Sequence, residues 1–80
     1  TPVYFTLDLD VLDPSVFPGT GTPEPGGVSF EELRKAVTLV CQKANVVACD
    51  VNELSPPYDQ SGVSTMVACK IVREMLLALN

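Results

Sequence analysis

Two aspartates, Asp8 and Asp10, stand two positions apart in a segment that alternates apolar and polar residues from Val3 to Val11. In an extended strand that spacing is two rises, roughly 6.6 Å, and it sends both carboxylates to one face. Two negative groups so placed repel each other unless a cation lies between them. A divalent ion, or a pair of ions about 3.5–4 Å apart, does this well. Oxygen donors of this hard type favour magnesium, manganese or calcium over zinc. The commoner fate of an isolated D-x-D in an alternating strand is a solvated polar face, so the neighbourhood has to decide.

That neighbourhood points to a site. Asp13-Pro14 ends the strand, since proline restricts the residue before it and cannot donate to a ladder. The loop from Leu12 to Val28 carries four prolines and four glycines and little that is apolar. A loop of this length in a compact domain is functional or disordered, and its prolines make it stiff. It leaves from the carboxyl end of a strand, where open α/β sheets place ligands. Thr20 and Thr22 offer hydroxyls there, and the glycines allow close backbone approach. "GTGTPE" lacks the third glycine of a dinucleotide fingerprint, and no G-K-[ST] follows for a P-loop. Asp13 reads as a turn residue. Glu53, three positions past Asp50 at the end of a second strand, falls on the same rim as Asp10. It could receive a planar cation such as a guanidinium through two parallel hydrogen bonds, although loop glutamates are more often simply solvated. Asp50 and Asn52 read as residues that orient the turn.

The elements that must hold these groups are legible. Val3, Phe5, Leu7, Leu9 and Val11 share one strand face. Ser29 with Glu32 forms a capping box, and Leu33, Ala36, Val37, Val40, Cys41 and Ala44 recur at helical spacing, predicting a helix from Phe30 to Ala44 with Asn45 as a left-handed stop. "VVACDV" reads as a central strand covered on both faces. After the polar loop "NELSPPYDQSG" a second helix is expected from Ser64 to Leu79, apolar almost all round. Strand, helix, strand, helix gives a right-handed βαβ unit plus a helix. Two strands make a poor domain by themselves, so the chain is expected to be the carboxyl end of a larger α/β protein.

Composition narrows the function classes. Five basic against ten acidic residues leave a net charge of −5, which disfavours nucleic acid and anionic lipid. No apolar run reaches the roughly 20 residues of a membrane span, and no basic region precedes an apolar one at the amino end. Cys41, Cys49 and Cys69 form no C-x-x-C pair, and without a histidine a zinc site is disfavoured. All three are expected as small buried hydrophobes in a reducing cytoplasm.

"TLDLDVLDPSVFPGTGTPEPGG" followed by "ACDVNELSPPYD" resembles the carboxyl-terminal part of the ureohydrolase family, which contains arginases and agmatinases, over practically the whole chain. D-x-D-x-x-D-P, P-G-T-G-T-P-x-P-G-G and D-x-x-E-x-x-P occur in that order. The resemblance implies a three-layer α/β/α fold with a parallel sheet and a binuclear Mn2+ site at its carboxyl edge. By it Asp8 would bridge the two ions, Asp10 would bind one, Glu53 would receive the substrate guanidinium and Thr22 would line the pocket beside it. The activity implied is hydrolysis of a small guanidino compound to urea and an amine by a cytoplasmic homo-oligomer. The form of the glycine loop looks most like agmatinases, which favours agmatine, giving putrescine. The family's other metal ligands, a histidine and a D-A-H-x-D cluster, have no counterpart here. Two carboxylates cannot hold two ions, so the 80-residue chain alone is expected to be inactive. Two other readings stay open: a magnesium-dependent phosphoryl-transfer fragment with an aspartate nucleophile, and a non-catalytic module that self-associates through its apolar helix.

Overall fold

The computed structural model describes residues 1–79. Strand β1 runs Pro2–Asp8 and passes into a 3-10 turn at Leu9–Val11. Helix α1 spans Phe30–Lys43, strand β2 Asn45–Asn52, a second 3-10 turn Pro56–Tyr58, and helix α2 Val63–Ala78. The two strands pair in parallel, from Pro2 opposite Asn45 to Asp8 opposite Asn52, with an irregularity between Val3 and Tyr4.

The capping box at α1 is complete. Ser29 Oγ accepts the Glu32 N–H at 3.1 Å, and Glu32 Oε1 accepts the Ser29 N–H at 2.9 Å. Two of the donors orphaned at a helix start are thereby satisfied, a contribution of about 1 kcal/mol. Leu33, Val37 and Cys41 carry the buried stripe of this helix, and Ser64, Ala68, Ile71 and Met75 that of α2. Their apolar members join Leu7, Leu9, Leu12 and Phe17 in one core, with Phe5, Cys49 and Val51 packed against it. Each large apolar side chain so buried contributes about 1.5–3 kcal/mol.

Several expectations change. The alternation does not carry β1 to Val11: the strand ends at Asp8, and the 3-10 turn buries Leu9 while leaving Val11 exposed. Asn45 is not a left-handed stop. Helix α1 ends at Lys43, Ala44 is extended, and Asn45 already opens β2, so one residue joins helix to strand. The loop is not apolar-poor in its effect either, since Leu12 and Phe17 are among the most completely buried side chains. Turn hydrogen bonds from Val16 N and Phe17 N to Asp13 O, at 2.9 and 3.0 Å, drive Phe17 inward.

Only one face of the sheet is covered in this chain. Tyr4, on the face opposite the core-packed Phe5 and Leu7, is 63% exposed, and Met66, Leu76 and Leu77 leave a broad apolar part of α2 in the open. Of the thiols, Cys41 is buried, Cys49 half-buried and Cys69 exposed, so the expectation of three buried cysteines fails at Cys69, which lies on the uncovered side of α2. Burial pushes the Cys41 thiol up, with Cys49 adding to it. No helix among the described residues is long and apolar enough to cross a membrane.

Candidate metal and guanidinium site

The carboxyl ends of β1 and β2 form a common rim. Asp8 ends β1 directly opposite Asn52, and Glu53 follows one residue beyond that pair. Asp8 and Glu53 are exposed; Asp10 is half-buried. Asp10 sits not on the strand but in the 3-10 turn after it, so its position is set by that turn and by the loop rather than by strand alternation. Thr22 Oγ1 donates to Asp10 Oδ2 at 2.8 Å, which fixes one oxygen of the carboxylate and leaves the other free of that bond. Thr22 therefore touches the Asp10 carboxylate directly.

Glu53 has φ +79°, the left-handed region, and is the non-glycine residue there among those described. Such backbone costs about 1–3 kcal/mol and collects at functional sites. The turn lifts the glutamate out of the strand direction at the point where β2 meets the rim.

Asp50 and Asn52 do more than orient a turn. On the open sheet face Asp50 accepts hydrogen bonds from Tyr4 Oη, from Thr6 Oγ1 at 2.5 Å and from Asn52 Nδ2 at 2.6 Å. Asn52 also donates to Thr6 Oγ1 at 3.2 Å. The bond to Thr6, then those to Tyr4 and Asn52, hold the Asp50 carboxyl below its ordinary range, and the same carboxylate pushes the Tyr4 phenol up. This ladder clamps the two strands just behind Asp8 and Glu53. Its sequence signal was the polar alternation of Tyr4, Thr6 and Asp8 against Asp50 and Asn52, which becomes a network only once the parallel register is known.

Two further carboxylates organise the loops. Asp13 Oδ1 accepts the N–H groups of Gly26 and Gly27 at 3.0 and 3.3 Å, while Oδ2 takes the N–H of Ser15 at 2.9 Å and its hydroxyl. These bonds, Ser15 first, lower its pKa from 3.8 to about 2. The loop is thus closed at its base, where Leu12 and Val28 form a parallel bridge. Asp59 repeats the pattern. Its Oδ1 accepts Ser61 N and Oγ at 3.1 and 2.5 Å, its Oδ2 accepts Ser64 N and Oγ at 2.8 and 2.6 Å, and its pKa also falls to about 2, the Ser61 hydroxyl leading. Asp13-x-Ser15 and Asp59-x-Ser61 share one D-x-S signature, which is the mark by which the second could have been read as a turn hub.

As to metal, Asp8 and Asp10 are donors of the right kind for manganese, but among the described residues no group of three or more His, Cys, Asp or Glu side chains converges. A hard divalent ion takes about six oxygen ligands, so this chain supplies part of a coordination shell.

The profile of the arginase family matches residues 1–78. The agmatinase of Halalkalibacterium halodurans is 49% identical over 76 residues, covering 94% of this chain and 26% of the relative. The human mitochondrial guanidino acid hydrolase is 45% identical over 78 residues, covering 98% of the chain and 22% of the relative. Among solved structures, proclavaminate amidino hydrolase from Streptomyces clavuligerus superposes with a TM-score of 0.90 at 42% identity, over 96% of this chain and 25% of that one. The chain thus spans about a quarter of the length of the proteins it matches.

Proposed function

The chain belongs to the arginase family, and from that premise we propose that it is the carboxyl-terminal, rim-forming segment of a manganese-dependent ureohydrolase that cleaves a small guanidino compound, with agmatine as the favoured substrate and putrescine and urea as products. The observation that carries the reading is the register that seats Glu53 one residue past the Asp8–Asn52 pair, with Asp10 tied to the glycine loop through Thr22.

Each residue then has a task. Asp8 and Asp10 would contribute oxygen ligands to manganese, and the chemistry that bound manganese supplies is acidification of water at neutral pH. Thr22 holds the Asp10 carboxylate in one orientation, as groups behind metal ligands commonly do. Glu53 offers two oxygens in a plane to a guanidinium, whose N–H donors match that geometry. The ladder of Tyr4, Thr6, Asp50 and Asn52 keeps the strand ends that present Asp8 and Glu53 in register. Since this chain supplies only part of a coordination shell, the segment alone is proposed to be inactive. Exposed Met66, Leu76 and Leu77 support covering of α2 by further protein, and a homo-oligomer belongs to the same proposal. So does a cytoplasmic setting, which the three free thiols fit.

The test uses the longer protein that carries this segment, loaded with manganese. Urea release from agmatine, without release of phosphate from a phosphomonoester, is expected. Asp8→Ala and Asp10→Ala should each lose most of the turnover together with bound manganese. Full activity in both variants would remove the basis of the reading.

A further inference from the structure

The loop that holds Asp10 and the loop that carries Glu53 belong to different elements, and Gly19 joins them. Its carbonyl accepts the Ser55 N–H at 2.6 Å, two residues beyond Glu53. Its own N–H donates to Ser64 Oγ at 2.8 Å. Three residues further along, Thr22 reaches Asp10. Ser64 is completely buried at the start of α2. Its hydroxyl proton goes to Asp59 Oδ2, so its oxygen is left to accept, and the donor it faces is the Gly19 N–H. The fit leaves no slack: a Cβ on Gly19 would stand 2.7 Å from Ser64 Cβ and 2.9 Å from its Oγ.

We propose that Ser64, oriented by Asp59, is a positioning residue that sets the spacing of Asp10 against Glu53, and so the fit of a guanidinium between the metal-side carboxylate and its own acceptor. This rests on the function proposed above. The pair touches neither ion nor substrate. It acts through the Gly19 peptide, which one side grips from the amino end of α2 and the other from the Glu53 loop.

The longer protein carrying this segment, loaded with manganese, provides the test. In Ser64→Ala the Gly19 N–H loses its acceptor. KM for agmatine is expected to rise about tenfold while kcat stays within about threefold and bound manganese is unchanged. Hydrogen exchange at the Gly19 amide should quicken by about tenfold or more while the buried amides of α1 keep their protection. Asp59→Asn keeps an oxygen for the Ser64 hydroxyl and should show a smaller rise in KM. Should Ser64→Ala fail to fold, Asp59→Asn carries the test, and a raised KM with faster exchange at Gly19 is the result expected of it. An unchanged KM, or an undisturbed Gly19 amide in the variant that folds, overturns the inference while wild-type turnover leaves the functional reading intact. A wild-type protein that hydrolyses no guanidino compound overturns the functional reading and this role with it.

Discussion

Glu53 offers a way to separate backbone strain from chemistry. Its φ of +79° is a conformation in which a side chain's Cβ crowds the following carbonyl oxygen, at about 1–2 kcal/mol. Glycine lacks that crowding but loses about 0.5–1 kcal/mol more chain entropy on folding. Glu53→Gly should therefore stabilise the protein by about 0.5–1 kcal/mol relative to Glu53→Ala, which removes the same carboxylate and keeps the strain. Both variants should lose at least about a hundredfold in kcat/KM for a guanidino substrate, since a charge-assisted pair disappears from each. Urea denaturation at constant m-value reads the first difference, and steady-state urea release reads the second. A gain in stability that accompanies a loss of activity is the mark of strain kept for function. Equal stability of the alanine and glycine variants, or retained turnover in either, would refute the reasoning.

Three other outcomes follow from particular contacts. Thr22→Val removes the hydroxyl that donates to Asp10 and should weaken manganese binding or turnover about 10- to 100-fold, with Thr22→Ser restoring it; metal titration and urea release report both. Gly27→Ala should be far more disruptive than Gly26→Ala, because its Cβ would meet Asp13 N and Val11 O at 2.6 Å, all backbone at the Leu12–Val28 bridge, whereas at Gly26 the space is open and only the positive φ of +88° resists. The expected costs are about 3 kcal/mol or more against about 1–2 kcal/mol by denaturant midpoint, and a reversed order would count against the loop geometry. Asp13 and Asp59 have folded pKa values near 2 against an ordinary 3.8, so their stabilising contribution is present in full above pH 3.8 and is lost as pH falls toward 2. Asp13→Asn and Asp59→Asn should flatten the stability profile in that window, and wild-type slopes retained by both would contradict the assignment.

How much of this was legible in the sequence depends on the range of the interaction. Ser29 and Glu32 announced α1 because a capping box spans three residues, and the observed helix differs from expectation by one residue at its end. The motifs on either side of α1 announced the family, since they carry side chains at spacings that need no knowledge of the fold. Alternation misled at Leu9–Val11, and the left-handed stop expected at Asn45 did not form: in both places the chain obeys contacts elsewhere, Leu9 being drawn into the core and Asn45 into pairing with Pro2. Phe17 looked like a loop residue because nothing local reveals that the chain after the Asp13 turn buries it in the core.

The amino-acid sequence by itself determined the element order, the helix starts, the family and the residues Asp8, Asp10, Thr22 and Glu53 as the ones to watch. Tertiary structure alone decided that Asp10 leans on Thr22, that Asp50 clasps Tyr4, Thr6 and Asn52, and that Gly19 is held between Ser55 and Ser64. The physical reason is that helix caps and residue periods are settled within a turn or two of chain. A hydrogen bond between residues twelve to forty-six positions apart exists only once the loop path, the parallel register and the packing of α2 have brought donor and acceptor within 3 Å.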